Sequence, residues 1–224
     1  MITVDWTDPG GEGLRERKKR QTRQLLTDTA TEMFLDRGFD AVRVAEVAAA
    51  CGVSEKTVYN YFPTKESLVV DHPDTAIATL RPALASAKSP VDAVLTVLAG
   101  ELRAVASWLA SQPDAVERFA RFAALIDATP PLRAYQREMA GRLVGVIAEA
   151  IAARAGVPSD DPEPQIVAIA LVGLWRVQFA ALARYVDGRP ASELVDAVTA
   201  DVRRAADLLV GGLGGCDQLG ITRS

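Results

Sequence analysis

Two short helical patterns joined by a glycine turn occupy residues 42–61, and this spacing constrains the fold more than any other feature of the chain. Val44 and Val47 mark the apolar face of the first pattern, which Gly52 interrupts. Ser54 is placed to cap the second pattern, because its hydroxyl can accept from a free helical amide. A glycine suits a turn too tight for most side chains. The segment therefore predicts a helix-turn-helix.

A longer supporting helix is predicted before this motif. Leu26, Ala30 and Phe34 recur at the spacing of one helical face. Gly38 follows the last of them and is expected to end the helix by adopting a left-handed conformation. The first helix should therefore cover roughly residues 15–37.

The rest of the chain also has helical periodicity, with proline or glycine at most junctions. No segment alternates in the way that a half-buried strand requires. We expect an all-α fold of about nine or ten helices. The later helices are predicted at residues 91–111, 114–128, 132–155, 164–186 and 191–210.

The chain divides into four predicted segments. Residues 1–14 contain several glycines and no periodicity, which indicates a flexible arm. Residues 15–63 form the helix-turn-helix domain, and residues 64–212 form a larger helical domain. Residues 213–224 follow a glycine-rich stretch and are expected to be a mobile tail.

Charge is distributed unevenly along the chain. The formal net charge is −4, which taken alone argues against nucleic-acid binding. Residues 13–65, however, carry ten bases and seven acids, and most of the excess lies in a basic run at residues 15–20. Such a run is usually a solvated helix end, and only the adjacent motif gives it further meaning.

Other classes of site have little support in the sequence. Cys51 and Cys216 are far apart, and His72 is the single histidine, interpreted as a loop residue, so no metal site is expected. Neither G-x-G-x-x-G nor G-x-S-x-G occurs, so we expect neither an enzyme nor a cofactor. No uninterrupted apolar run reaches the roughly 18 residues of a membrane span. A cytoplasmic protein without membrane contact is expected.

Three stretches carry a more specific pattern. They are Phe34-Leu35-Asp36-Arg37-Gly38-Phe39, Val44-Ala45-Glu46-Val47-Ala48 and Cys51-Gly52-Val53-Ser54-Glu55-Lys56-Thr57-Val58-Tyr59-Asn60-Tyr61-Phe62-Pro63-Thr64-Lys65-Glu66-Ser67-Leu68. They lie within residues 15–70, and over roughly this range the sequence closely resembles the N-terminal region of the TetR family of bacterial transcriptional regulators.

The resemblance implies a third helix that enters the major groove of operator DNA. It assigns phosphate contacts to Tyr59, Tyr61 and Lys65, and places Thr57 and Asn60 near base edges or phosphates. Two alternatives remain open, namely that Tyr59 packs against the first helix and that Lys65 is only solvated. The helix-turn-helix also presents the start of its second helix to phosphates.

Further DNA contacts are expected around this helix. Ser54 and Lys56 lie at its N-terminus, where free amides can meet phosphates. Arg43 stands where the family usually has threonine, and could hold a phosphate or a guanine. Cys51 replaces a usual alanine and is interpreted as a small buried filler. The basic run could cross phosphates or enter the minor groove through Arg17, Lys18, Lys19 and Arg20.

In the family the larger domain binds a ligand and dimerises. The apolar faces of the last two predicted helices suit a four-helix dimer interface, or alternatively only complete the monomer core. Large side chains on the central helices could line a pocket for an unknown small molecule, or else be ordinary core. The pocket candidates are Trp108, Phe119, Phe122, Tyr135, Met139, Trp175, Gln178 and Phe179.

Two functions compete. The favoured one is a homodimeric repressor that a small-molecule ligand releases from a palindromic operator. The alternative is a dimeric DNA-binding protein without an inducer, whose larger domain only dimerises. DNA release by a small molecule would distinguish them.

Overall fold

A computed structural model describes residues 13–70, 73–111, 113–187 and 189–212 of the chain. These ranges contain nine α-helices, one short 3-10 turn and no strand, which confirms the predicted all-α class. Most of the predicted arm, the tail from residue 213, His72 and Cys216 lie outside the described residues. The helices are α1 (Leu14–Arg37), α2 (Val44–Ala50), α3 (Glu55–Tyr61), α4 (Pro73–Ser86), α5 (Pro90–Ser111), α6 (Ala115–Ala128), α7 (Pro130–Ala155), α8 (Pro162–Tyr185) and α9 (Ala191–Gly211).

The end of α1 differs in one detail from the sequence expectation. Gly38 follows the helix, and its amide donates to the carbonyl of Phe34 at 2.9 Å. Its φ of 84° is positive, but its ψ of 154° lies outside the left-handed helical region. The predicted left-handed cap is therefore wrong, although the backbone here still favours glycine.

The described chain falls into two compact units. The first contains the residues up to Thr75 together with Trp108–Met139, and the second contains Ala76–Ser107 together with the residues from Ala140 onward. The long helices α5 and α7 contribute to both units. This division follows contacts, whereas the four segments predicted from the sequence follow motifs and remain a prediction.

The first unit is built around an apolar core that α1, α2 and α3 share. Val47 of α2 and Val58 of α3 are fully buried against each other's helices and against Phe34 of α1. Ile126 of α6 and Leu132 of α7 belong to the same cluster. The helix-turn-helix is thus held by burial on several sides, which is the main source of helical stability in a protein.

Ion pairs connect α6 to α1 at the surface of this unit. Arg118 contacts Glu32 at 3.2 Å, and Arg121 contacts Asp36 at 3.2 Å. Arg121 also donates to the backbone carbonyl of Leu35 at 2.9 Å. These contacts hold α6 against α1.

In the second unit, α8 and α9 pack against each other and share a buried carboxylate. Asp201 of α9 accepts from Arg184 at 3.4 Å and from the Tyr185 hydroxyl at 3.3 Å, both near the end of α8. Arg204, one turn further along α9, donates to the other oxygen at 2.9 Å. Asp201, midway along α9, therefore joins this helix to the C-terminal end of α8.

In the same unit, Arg154 of α7 binds the C-terminal end of α4. The guanidinium of Arg154, near the end of α7, donates to the backbone carbonyls of Leu84, Ala87 and Lys88. The last carbonyls of a helix lack partners within the helix, so a cation that binds them satisfies the groups and the helix dipole together.

Two helices of the described chain, α5 and α8, are long and apolar enough to cross a membrane by length and composition alone. Neither helix contains an uninterrupted apolar run of that length, so the threshold is reached only as an average over each helix. In α8 a single charged residue, Arg176, interrupts the apolar stretch. Buried leucines such as Leu171 and Leu174 give the helix a protein-packing face.

Asp201→Ala should destabilise the protein by about 1–3 kcal/mol, because three hydrogen bonds to a buried carboxylate are lost. Asp196→Ala, at an exposed position on the same helix, is the matched control. Urea unfolding followed by circular dichroism measures both variants. Equal midpoints for the two would show that the Asp201 contacts do not stabilise the fold.

Candidate nucleic-acid interface and buried polar site

The start of α2 is closed by Glu46, three residues inside the first turn. Its carboxylate accepts from the backbone amide of Arg43 at 2.8 Å and from the Arg37 guanidinium at 2.8 Å. These two hydrogen bonds, the Arg37 bond foremost, lower the pKa of Glu46 to about 2. Glu46 is therefore ionised at neutral pH and links the end of α1 to α2.

Arg43 precedes α2 with its side chain directed to solvent. The side chain is 83% exposed, and its Nε lies 3.5 Å from Glu46. A loose contact of this kind in water contributes little and leaves most guanidinium hydrogens open. Arg43 thus presents a cation beside the helix-turn-helix.

The turn and the cap of α3 follow the sequence expectation. Gly52 has a φ of 67°, a conformation that strains most side chains. Ser54 accepts from the amide of Thr57 at 3.1 Å, and the two hydroxyls are 2.8 Å apart. Ser54 and Thr57 therefore use part of their hydrogen-bonding capacity on each other.

One face of α3 is open to solvent. Lys56, Tyr59 and Asn60 are exposed, whereas Val58 is fully buried on the opposite side. About half of Tyr59, 47%, is accessible. This face carries a cation, a phenol and an amide, which are groups that hydrogen-bond to phosphates or base edges.

Lys65 is turned toward the protein. Its Nζ donates to the carbonyl of Phe39 at 2.6 Å and lies 4.3 Å from the centre of the Phe39 ring. The Phe34 ring is 5.5 Å away. The alternative that Lys65 is only solvated is therefore wrong, because the ammonium supports the turn after α1.

Arg23 was not expected to have a role of its own. Its guanidinium donates to the carbonyl of Tyr61 at 3.0 Å and lies 4.4 Å from the centre of the Phe62 ring. Tyr61 itself is half-buried and packs against the core. Arg23 precedes Leu26 by three residues, a spacing that places both on one face of α1 and could have identified it.

The basic run lies on the first turns of α1. Arg17, Lys18 and Lys19 are exposed there, and Arg20 is half-buried. Cations at a helix N-terminus oppose the helix dipole, so this arrangement weakens the free helix end. An anion close to these residues would relieve the repulsion.

The predicted pocket residues are divided between the two units. Phe122 packs against the core of the first unit, and Phe179 in the second is 55% exposed. Trp175 and Gln178 of α8 also belong to the second unit. The first unit holds Trp108, Phe119, Phe122, Tyr135 and Met139.

A carboxyl that was not predicted lies in the second unit. Glu101 of α5 accepts a hydrogen bond from the indole nitrogen of Trp175 at 2.9 Å. Burial raises the pKa of Glu101 to about 7, against the smaller opposing effect of the Trp175 hydrogen bond. At neutral pH this carboxyl is therefore poised between its two protonation states.

Gln178 lies one helical turn after Trp175 and is only 3% exposed. No hydrogen bond of its side-chain amide is found within the described residues. Its amide is therefore a polar group at a buried position of α8 that no other described side chain uses.

A groove of about 460 Å³ also lies in the second unit, between α4 and α7. Arg81 and Glu149 face each other across it at 3.8 Å, and both are exposed. It is open to solvent along its length. The lining residues are Arg81, Leu84, Ala85, Val146, Glu149, Ala150, Ala153 and Arg154.

Metal binding has no support in the part of the chain that the structure describes. There, no three histidine, cysteine, aspartate or glutamate side chains are grouped as metal ligands. Cys51 is a half-buried free thiol, and its Sγ lies 3.8 Å from the carbonyl of Leu25.

Two protein-family models match the sequence. The model described as bacterial regulatory proteins of the tetR family matches residues 26–71, and the model described as the MftR C-terminal domain matches residues 89–213. The first match covers the helix-turn-helix, and the second covers most of the remaining helices.

Known proteins with similar sequences carry consistent names. The HTH-type transcriptional regulator TcmR of Streptomyces glaucescens is 31% identical over 176 residues, which cover 75% of this chain and 76% of TcmR. MftR of Mycobacterium tuberculosis, named as a candidate mycofactocin biosynthesis transcriptional regulator, is 28% identical over 70% of this chain and 78% of its own.

Solved structures share the fold. FadR of Bacillus subtilis, a transcriptional regulator crystallised with stearoyl-CoA, superposes with a TM-score of 0.52 at 15% identity, covering 84% of this chain and 98% of FadR. The SmeT–triclosan complex gives a TM-score of 0.53 at 17% identity, covering 85% and 90%. At these identities the likeness concerns the fold alone.

The buried carboxyl should make folding stability depend on pH. Between the unfolded pKa of Glu101, near 4.5, and its folded pKa of about 7, the folded state binds more protons, so raising the pH through this window lowers stability. Glu101→Gln removes this dependence. The free energy of unfolding of the variant, relative to that of the parent protein, should therefore rise by about 1–3 kcal/mol between pH 4.5 and pH 8, since one pKa unit is about 1.4 kcal/mol.

Chemical denaturation at several pH values measures this difference. Glu138→Gln, which removes an exposed carboxylate from α7, is the control. If Glu101→Gln and the parent protein keep a constant stability difference over the window, the raised pKa is refuted.

Proposed function

The chain is a DNA-binding transcriptional regulator of the TetR family, and we propose that it represses transcription as a homodimer that a small molecule releases from a palindromic operator. The observation that carries the DNA-binding part is the exposed polar face of α3, on a helix held by the buried core to which Val47 and Val58 belong. A two-fold operator requires two such faces, one from each subunit.

We assign the groove contacts to α3 and its surroundings. Lys56, Tyr59 and Asn60 are exposed on the helix together with the acidic Glu55, and the first three are proposed to reach phosphates or base edges first. Ser54 caps the helix by accepting from the Thr57 amide, and the hydroxyls of both residues lie at the helix start, where the helix dipole favours a phosphate. These five residues are proposed to set the position of the helix in the major groove.

Phosphate contacts on either side are assigned to cations. Arg43 lies beside the start of α2 with an open guanidinium. Lys65 and Tyr61 retain their proposed phosphate contacts, and their packing adds a structural role to each. The cations on the first turns of α1 would contribute chiefly through salt-dependent attraction. This last group is Arg17, Lys18, Lys19 and Arg20.

The proposed dimer interface is formed by α8 and α9. Ile166 and Ile169 of α8 are 63% and 53% exposed, and Leu208 and Leu209 of α9 are also open. Large apolar side chains concentrated on two adjacent helices mark an interaction surface. Leu174 of α8, by contrast, is buried within the single chain, so the predicted faces serve the monomer core in part.

Ligand release is proposed for the second half of the chain. Two solved structures with this fold are complexes with small molecules, SmeT with triclosan and FadR with stearoyl-CoA. Such a ligand changes DNA affinity only if it binds the DNA-free arrangement more tightly. The alternative, a dimer without an inducer, predicts that no small molecule changes operator binding. We further propose that the regulator works in the cytoplasm, where the DNA is.

The DNA-binding proposal is tested by selecting sites from a random duplex pool and then titrating the selected site. Lys56→Ala should weaken binding to all sequences and make the slope of log affinity against log salt shallower by about 1, because one phosphate contact is lost. Lys88→Ala removes an exposed cation from the second unit and should change neither quantity.

Tyr59→Phe extends this test, since it removes only the hydroxyl. Failure to enrich any palindrome would contradict sequence-specific operator binding. An enriched site that Lys56→Ala and Tyr59→Phe bind as tightly as the parent protein would remove these two residues from the interface.

The dimer proposal is tested with Ile169→Glu. A charge within an apolar interface lacks compensation, so the variant should dissociate at concentrations where the parent protein is dimeric. Sedimentation equilibrium measures the association, and Ala134→Glu, which adds the same charge at an exposed position of α7, is the control. An unchanged dimer would place the interface elsewhere.

A further inference from the structure

Glu101 is a half-buried residue whose carboxyl is largely removed from water, and the proposed DNA-binding and dimer surfaces do not use it. Its one hydrogen bond comes from the Trp175 indole and reaches Oε2, and the other oxygen has no partner among the described residues. No described lysine or arginine affects its ionisation, which burial and the indole contact alone determine. A buried carboxylate ordinarily lies beside a cation. No described lysine or arginine takes that position beside Glu101.

A second polar group lies on the adjoining face of α8. Gln178 is 97% buried, as its 3% exposure requires, and no described residue hydrogen-bonds to its amide. Trp175 and Gln178 are three residues apart, so their side chains share one helical face with about 5–6 Å between their Cβ atoms. One short stretch of α8 therefore carries an indole already bound to a carboxyl and a free amide.

The neighbouring positions on both helices are apolar. Leu98 and Leu102 flank Glu101 on α5, and Leu171 and Leu174 precede Trp175 on α8; all four are buried. Small-molecule sites are usually apolar with a few polar groups that fix the orientation of the ligand. Glu101, Trp175 and Gln178 would be those groups.

We propose that Glu101, Trp175 and Gln178 form the recognition site for an apolar ligand that carries a protonated amine. The ammonium group pairs with the free oxygen of Glu101 and supplies the missing cation. The Trp175 ring offers its face to the same charge, an attraction that strengthens away from water. The Gln178 amide hydrogen-bonds to a second polar atom of the ligand. This site rests on the proposed release of DNA by a small molecule and gives that molecule a chemical class.

A purely structural role is the competing explanation. In that case the Glu101–Trp175 hydrogen bond only ties α5 to α8, and the carboxyl is neutral when the protein is folded. The two explanations differ in whether a ligand's positive charge matters. A charged ligand and a neutral one of equal size therefore distinguish them.

The test uses the full-length protein and two matched probes, 2-(1-naphthyl)ethylamine and 2-(1-naphthyl)ethanol, with binding measured by isothermal titration calorimetry at pH 7. The amine should bind about tenfold or more tightly than the alcohol, because its hydrogen bond to Glu101 is charge-assisted. Glu101→Gln should remove this preference, so that the variant binds the amine about as weakly as it binds the alcohol. Trp175→Phe and Gln178→Met should each weaken amine binding, and Glu138→Gln should have no effect.

Each variant is first checked for circular dichroism and for binding to the selected operator, so that a misfolded variant is not counted. If Glu101→Gln is misfolded, Trp175→Phe carries the test, since it deletes one N–H and keeps an aromatic ring. Equal affinity for amine and alcohol, no detectable binding of the amine, or an unchanged preference in Glu101→Gln overturns the site.

The same reagents separate this site from the function on which it rests. Glu101-dependent amine binding that leaves the operator complex intact would support the site and contradict release by its ligand. Operator release by a cell metabolite extract that is equal for the parent protein and Glu101→Gln would support ligand release and overturn this site.

Discussion

The apolar core that Val47 of α2 and Val58 of α3 share with Phe34 of α1 is the constraint on which the DNA-binding half of the structure depends. Burial in this one cluster holds the three helices together. The packing of α3 in this core determines which way its exposed side chains face. The polar contacts of Glu46 and Ser54 close the ends of helices whose arrangement the apolar contacts have already set.

The basic residues of the helix-turn-helix region fall into two groups, those that contact the protein and those that are exposed to solvent. Lys65 and Arg23 lie over aromatic rings and donate to backbone carbonyls, so they stabilise the turn after α1 and the end of α3. Most cations on the first turns of α1 and around α3 are exposed to solvent instead. A net charge counted along the sequence cannot separate these groups, because the separation depends on which side chains fold inward.

The sequence predicted the helical class, the helix-turn-helix and most helix bounds, because local periodicity determines these features. It also placed Trp175 and Gln178 on an inward face. It missed Glu101, since a glutamate within an amphipathic helix is normally solvated, and its partner is 74 residues away. It could not divide the pocket candidates between two units either, because long helices such as α5 enter both. Contacts distant in sequence leave no trace in periodicity.

The three carbonyls that Arg154 binds at the end of α4 have a mechanical consequence. A helix that is held at one end can rotate about that end but cannot move along its own axis. Any displacement of α4 is therefore smallest beside Arg154 and grows toward Pro73, at the end of the helix nearer in sequence to the helix-turn-helix. A sub-ångström adjustment near the fixed end would be magnified along roughly 20 Å of helix.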